Sequence, residues 1–327
     1  MGVEVKVMKR FNNILSVIND KNPNKELILK SIEIAKSNQA KLTFISIVPI
    51  ISAGIGMPPG GPISKDLQQH ILSDSLSALH KTLSAYDGCY NFEVIVLAGD
   101  HCNEIIKRVI TEKHDLLISL PFKKNILDHI FTSKDMHLFR KCPCPIMFVN
   151  DVEKLTFKRI IAAVDFDRFK DTHNDILSDE ITSLASQIAL MNFAHLHIVN
   201  IYNPRYFRIA SNWADQPEKL EREMKDYEYK YAKQRMEELM ERLKTNIGEE
   251  MYNQISIQTH LIFGSAEEQL PLFATKNHCD LLVMGTVART GISGLLIGNT
   301  AEDILSQLKC SVLAIKPKGF VSPITIN

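Results

Sequence analysis

The chain has 327 residues, of which 45% are hydrophobic and 23% are charged, so it is long enough for two domains that each bury a core. Lysine and arginine together number 38, as do aspartate and glutamate. This balance disfavours nucleic-acid binding, because the chain has no excess of positive charge to neutralise the phosphates of a nucleic acid. The first ten residues contain no apolar signal segment, and no apolar run reaches the length of about 20 residues that a membrane helix needs. We therefore expect a soluble cytoplasmic protein with no membrane attachment.

The first half of the chain alternates short apolar runs with helical segments. Apolar runs at 12–20 and 40–50 flank an amphipathic segment at 26–39, and a third apolar run begins after Phe92. Val, Ile and Leu fill these runs without polar alternation, which is typical of strands buried on both faces. Alternation of strand and helix predicts a parallel sheet with right-handed crossovers.

The second half repeats this order of elements. Gly99 and Gly264 are separated by the same interval of sequence as Asp115 and Asp280. Each half closes with a short apolar run, CPIMFVN in the first and CSVLAIK in the second. Self-similarity over half of the chain indicates a duplicated domain. We therefore predict an α/β protein of two Rossmann-like domains, at 1–151 and 152–327, each a mostly parallel five-stranded sheet with helices on both faces.

The segment at 216–246 predicts an unusually long helix. Its apolar residues recur close to the helical period of 3.6 residues: Leu220, Met224, Tyr227, Tyr231, Met236, Leu239 and Leu243. Glu and Lys fill the other faces. We expect the stripe to pack against the sheet rather than to bind a cofactor.

A glycine-rich stretch, MGTVARTGISGLLIGNTAED at 284–303, leaves a predicted strand and enters a predicted helix. In open α/β sheets, ligands bind at this edge, where the strands end. Amides at a helix start attract anions, and glycines let phosphate approach the backbone. The same stretch also suits a helix that is capped without any ligand, because Thr300 and Asp303 have the spacing of a capping box.

This stretch resembles the motif of the universal stress protein family, G-x2-G-x9-G-[S/T], which holds ATP in the nucleotide-binding members. Gly285 matches the first glycine and Gly298 the third. Ala288 stands at the second glycine and Asn299 at the serine or threonine, with Thr300 one position later. The resemblance covers nearly the whole chain and extends to tandem-domain members of the family. It implies the adenine nucleotide alpha hydrolase-like fold for both domains.

The resemblance implies two further contacts with a nucleotide in the second half. Asp165 matches the acidic residue that meets the adenosine, and Ile201 matches the apolar residue beneath the adenine. Two departures from the motif weigh against ATP. The methyl group of Ala288 narrows the approach to phosphate, and Glu302 and Asp303 place negative charge in the first helical turn.

The first half lacks the features of a nucleotide site. Leu120 stands where the second half has Gly285, and it is followed by Pro121, which has no amide donor. Asn19 replaces Asp165. We therefore expect the first half to keep the fold without the nucleotide site.

Two residue pairs suggest other chemistry. His195 and His197 alternate on a predicted strand and share one face, while Cys142 and Cys144 flank a proline. The histidines could bind a metal but have no further ligand at a suitable spacing, and the cysteines could form a metal or redox pair. We expect strand histidines and small buried cysteines instead, and none of the six cysteines forms a C-x-x-C motif.

These observations predict a stress-response binding protein with a ligand cleft in the second half. The resemblance implies a role in resistance to stress, including DNA damage and oxidative stress. We expect an adenine nucleotide as the ligand, such as ATP with magnesium, with no required cofactor, no metal site and no catalytic residue. An acyl or lipid-like ligand near the apolar connections at 48–66 and 202–217, or a scaffold without nucleotide, is the alternative. A slow ATP hydrolase ranks third.

The expected partners are a small molecule and the other half of the same chain. The resemblance implies that the two domains pair through their last strands, within CPIMFVN and CSVLAIK. A homodimer is a further state that the sequence leaves open, and neither nucleic acid nor a membrane is expected.

Overall fold

The computed structural model describes residues 11–51, 62–122, 131–150, 156–166, 172–203, 215–286 and 298–326. Its strands are β1 (Asn13–Val17), β2 (Lys41–Val48), β3 (Glu93–Ala98), β4 (Leu116–Ser119), β5 (Ile146–Phe148), β6 (Arg159–Val164), β7 (His195–Tyr202), β8 (Ser256–Phe263), β9 (Leu281–Gly285) and β10 (Ser311–Ile315). They form one ten-stranded sheet in the order β3-β2-β1-β4-β5-β10-β9-β6-β7-β8.

Helices cover both faces of this sheet. They are α1 (Lys25–Asn38), α2 (Pro62–Leu83), α3 (His101–Glu112), α4 (Ser133–Lys141), α5 (Thr172–Asn192), α6 (Pro217–Ile247), α7 (Glu249–Gln254), α8 (Ala266–Lys276) and α9 (Asn299–Gln307), with one turn of 3-10 helix at Ser84–Tyr86. None of the helices in the described ranges is both long enough and apolar enough to cross a membrane.

The two halves have the same topology. All strand pairs within each half are parallel, and the first strand of each half lies between the second and the fourth. The halves join through their last strands, where β5 and β10 pair antiparallel with Met147 opposite Leu313. The predicted fold class and the pairing of the last strands are therefore confirmed.

The duplication is visible in individual hydrogen bonds. The Asp115 carboxylate accepts the amides of Asn12 and Asn13, at 2.7 and 2.9 Å, just where β1 begins. Asp280 accepts the two amides that lead into β6, both at 2.9 Å. In each half the same carboxylate thus satisfies donors that would otherwise be unpaired at the start of the first strand.

One hydrophobic core lies on each face of the sheet, and each core contains side chains from both halves. The first core includes Leu27 of α1 and Leu239 of α6, and the second includes Leu138 of α4 and Leu305 of α9. The sheet is buried between them because its strands are apolar on both faces. Since each core runs continuously from one half into the other, we expect the two halves to unfold together.

The long helix was predicted correctly, but its apolar stripe is buried along only part of its length. Met236, Leu239 and Leu243 lie in the core, whereas the side chain of Tyr227 is 60% exposed. A helix of 31 residues is about 46 Å long, and a strand of eight residues is about 26 Å long. The first turns of α6 therefore extend beyond the end of β7, where no sheet covers them.

Two histidines contact each other across β7 and β8. His197 Nδ1 lies 3.0 Å from His260 Nε2, and Phe273 of α8 packs on both rings. Burial lowers the pKa of both imidazoles, and the pKa of His197 is lowered further by the charges of His260 and His195. The native pair thus takes up a proton less readily than the same residues do in the unfolded chain.

This pair makes the fold sensitive to acid. Above about pH 6.5 the imidazoles are neutral in both states, whereas below it the unfolded chain binds protons that the native pair resists. The free energy of unfolding should therefore fall as the pH is lowered from 7 to 5. In His260→Gln the dependence on pH should decrease by roughly one proton or less, measured by urea unfolding at several pH values. His70→Gln, on the exposed face of α2, is the control, and a pH dependence equal to that of the wild type in His260→Gln would contradict the prediction.

Candidate functional site

A crevice is expected at the carboxyl edge of β6 and β9, because the helices that follow these neighbouring strands lie on opposite faces of the sheet. Helix α5, which follows β6, packs into the first core, and α9, which follows β9, packs into the second core on the opposite face. The two helices therefore leave adjacent strands in opposite directions. Ligands of open α/β sheets bind at such a position.

The ends of the glycine-rich loop are held together at this edge. The amide of Gly298 donates to the carbonyl of Thr286 at 3.0 Å, and the Thr286 amide donates to the carbonyl of Ile315 at 3.2 Å. Gly298 is the N-cap of α9, with φ −64° and ψ 140°. Ala288, one of the predicted binding residues, lies outside the described residues. The closure fixes the first amides of α9 beside the end of β9.

Gly285 has a packing role that the sequence did not reveal. A Cβ atom there would lie 2.8 Å from Leu177 Cδ2 and 3.8 Å from Ile181 Cδ1, both in α5. The missing side chain thus lets α5 approach β9. We interpreted the glycines as access for phosphate, but at Gly285 the space is taken by a helix of the same chain.

Asn299 and Thr300 are both exposed in the first turn of α9. The Thr300 hydroxyl donates to Glu267 Oε1 of α8 at 2.7 Å. The predicted capping box of Thr300 with Asp303 is therefore wrong, because the helix begins earlier, at Gly298. Gly298 has no side chain, so the first amides of α9 receive no cap from it.

Asp165 and Ile201 lie next to each other at the carboxyl edge of the sheet. Val164 is in register with Asn200, so the next residues, Asp165 and Ile201, lie side by side where β6 and β7 end. Ile201 is half-buried against the second core, and the backbone carbonyl of Asp165 accepts the Ser178 hydroxyl at 3.3 Å. The acid and the apolar residue thus occupy the same edge as the start of α9.

Two buried polar residues at this edge were missed by the sequence analysis. Thr286 is fully buried, and its Oγ1 has no hydrogen-bond partner in the described structure. Asn200 donates to the Val164 carbonyl at 3.1 Å, but its Oδ1 is likewise unpartnered. A polar residue inside the apolar run HIVNIY was the available signal. Buried polar atoms without partners are rare in proteins.

The first half uses its corresponding residues internally. Asn19 accepts the amides of Lys21 and Asn22 at 2.9 and 3.2 Å, which forms a local turn. Asp20 accepts the hydroxyls of Ser46 and Ser75, at 3.3 and 2.6 Å. These polar groups are occupied by the chain itself.

The start of α4 is filled by a carboxylate. Asp135 is fully buried and accepts the Phe122 amide at 3.0 Å, the Thr132 amide at 2.6 Å and the Thr132 hydroxyl at 2.9 Å. Burial raises the pKa of Asp135, whereas the hydrogen bonds from Thr132 and Phe122 lower it. When the starts of α4 and α9 are aligned, the residue of α9 that corresponds to Asp135 is Ala301. A buried carboxylate thus lies at the start of α4, whereas α9 has a methyl group at the corresponding position.

The cysteine pair is a buried contact. Cys142 Sγ and Cys144 Sγ lie 3.6 Å apart, and burial raises the pKa of Cys144 far above its ordinary value. Such a thiol stays protonated, in agreement with the expectation of small buried residues. Across the described ranges, no three His, Cys, Asp or Glu side chains are arranged to hold a metal ion.

Comparison with known proteins identifies both halves. The family model described as "Universal stress protein family" matches residues 10–150 and 156–316. Universal stress protein E of Photorhabdus laumondii is 27% identical over 328 residues, which cover 97% of this chain and 98% of that protein. Universal stress protein E of Escherichia coli K12 is 29% identical over 267 residues, which cover 80% of each chain.

Solved structures give the same result for the fold. A putative universal stress protein from Pseudomonas aeruginosa UCBPP-PA14 aligns with a TM-score of 0.66 and 26% identity, over 96% of both chains. A universal stress protein from Archaeoglobus fulgidus aligns with a TM-score of 0.61 and 17% identity, over 95% of this chain and 98% of the other. The match of both halves to one family model is decisive, and the chain belongs to the universal stress protein family, with two such domains in tandem.

Proposed function

We propose that this stress-response protein binds one adenine nucleotide, in the crevice of its second half. Membership of the family supports the stress-response role. The observation that carries the nucleotide proposal is the difference between the two helix starts. Helix α4 has Thr132 at its N-cap and a buried carboxylate, Asp135, three residues later, whereas α9 has Gly298 and Ala301 at these two positions. A helix start that lacks an internal anion, at the switch point of the sheet, favours a phosphate ligand.

Each predicted residue has a proposed place around this nucleotide. The amides that follow Gly298 would donate to phosphate oxygens, and Asn299 would add a side-chain donor from the exposed face of the first turn. Asp165 would accept hydroxyls of the ribose, and Ile201 would support the adenine. Thr300 is a weaker candidate, since its hydroxyl already donates to Glu267.

The remaining motif residues have more limited proposed roles. Gly285 acts indirectly, because the space beside it admits Leu177. Ala288 is proposed to narrow the phosphate approach, and magnesium would accompany ATP without a protein cage of its own. We infer binding without catalysis, because the residues that the motif supplies are backbone donors and a single acid.

A ligand with an aromatic or apolar part is the second candidate. Tyr202 and Phe263, at the ends of β7 and β8, pack with ring centroids 5.7 Å apart, and Tyr229 of α6 lies 6.0 Å from Tyr202. These three aromatic side chains lie at the same edge of the sheet as the crevice. Native mass spectrometry of the purified full chain would separate the candidates, because a retained nucleotide and a retained acyl compound differ in mass.

Gly298→Val tests whether the start of α9 is the phosphate site. The isopropyl group would stand beside the first amides, and φ −64° is a conformation that valine accepts. We expect affinity for magnesium-ATP to fall about tenfold or more in isothermal titration, with an unchanged melting temperature. Gly88→Val is the matched control, since a Cβ there meets nothing within 4 Å. Unchanged affinity in a folded Gly298→Val protein would place the phosphate elsewhere.

Ala301→Asp tests the comparison between the two halves. The new carboxylate would copy Asp135 and place a negative charge at the start of α9, so we expect binding of magnesium-ATP to disappear from a protein that otherwise binds one per chain. Ala301→Asn, of the same shape without the charge, should retain more affinity. Full-length protein is needed because the cores are shared. A stoichiometry of two nucleotides per chain would contradict a single site in the second half. Stoichiometric binding that persists in a folded Ala301→Asp protein would contradict it as well.

A further inference from the structure

We propose that Arg140 of the first half adjusts the anion affinity of the second half by neutralising Glu302. This inference rests on the proposed nucleotide site. The Arg140 guanidinium, near the end of α4, forms an ion pair with Glu302 Oε1 in the first turns of α9. The side chains are 36% and 34% exposed, so the pair is partly shielded from water.

Glu302 is an obstacle to an anion at the start of α9. Its carboxylate lies close to the helix start whose amides would bind phosphate, and a negative charge there repels a second anion. The guanidinium of Arg140 carries a permanent positive charge that offsets this repulsion. The arginine therefore acts through Glu302 and the local potential, as a positioning residue.

The ion pair works in one direction only. In the same alignment of the two helix starts, the residues that correspond to Glu302 and Arg140 are Met136 and Ser306. Met136 is buried in the second core, and the Ser306 hydroxyl donates to the Asp303 carbonyl at 2.8 Å. The reciprocal positions thus form no ion pair. The first half thus places a positive charge near the start of α9. The second half places no corresponding charge near the start of α4, which holds Asp135.

Contacts across the seam hold Arg140 in place. The buried ammonium of Lys316, just after β10, donates to the carbonyl of Phe139, the residue before Arg140. On the other side of the seam, Asn150 Nδ2 donates to the Lys309 carbonyl just after α9, at 2.8 Å. Each half therefore binds the end of the other half's last helix. These contacts limit the distance between Arg140 and Glu302 without relying on the ion pair.

The test compares charged and neutral ligands in the full chain. In Arg140→Gln, affinity for magnesium-ATP should fall about threefold to tenfold by isothermal titration, with a smaller loss for AMP and none for uncharged adenosine. Arg140→Lys should retain most of the affinity. Adding Glu302→Gln to Arg140→Gln should restore it. Lys233→Gln, which removes one positive charge from an exposed position on the opposite face of the sheet, is the control and should behave like the wild type.

The outcomes separate this inference from the function on which it rests. If the wild-type protein binds neither ATP nor AMP, the proposed function fails, and the inference fails with it. If the wild type binds ATP and a folded Arg140→Gln protein binds it equally well, only the inference fails. A loss of adenosine affinity as large as that of ATP would indicate a structural role for Arg140 and would also overturn the electrostatic one.

Discussion

The antiparallel pairing of β5 with β10 is the interaction on which the rest of the molecule depends. It joins two parallel five-stranded sheets into one, with Met147 opposite Leu313. Side chains of both halves then exclude water from the same two cores. Because the strands of the two halves run in opposite directions, their carboxyl ends lie along two opposite edges of the sheet. The seam thus separates the two potential ligand edges while it brings α4 and α9 into contact.

Within this common frame, the two halves differ most where a ligand would bind. Both halves keep the carboxylate that supports the first strand, Asp115 in one and Asp280 in the other. At the start of the last helix they diverge, since Asp135 is buried in the first half and Ala301 takes its place in the second. A buried carboxylate needs donors, and Asp135 finds them in the amides of Thr132 and Phe122, beside the start of α4. The second half has no carboxylate at the corresponding position, and we propose that a ligand supplies the negative charge there.

The fold could be predicted from the sequence because duplication and burial on both faces leave a repeated local pattern. The proximity of Asp165 and Ile201 could be inferred from the sequence because both lie at the ends of neighbouring parallel strands. The capping box of Thr300 was wrongly predicted because α9 begins at Gly298 and because the partner of the Thr300 hydroxyl, Glu267, is distant in the sequence. The contact that a side chain at Gly285 would make could not be predicted either, because Leu177 lies on a helix distant in the sequence. Contacts between residues distant in the sequence determine both features, and the spacing of nearby residues does not predict such contacts.

The shared cores also determine how such a chain can evolve. A substitution at an exposed position on the ligand edge of the first half leaves both cores filled, whereas the loss of Leu138 or Leu27 would open a cavity in a core that the second half shares. Selection on the second half therefore preserves the interior of the first half even when the first half binds nothing. A duplicated domain in this arrangement can lose its ligand without becoming dispensable, and its surface becomes available for new duties such as the support that we propose for Arg140.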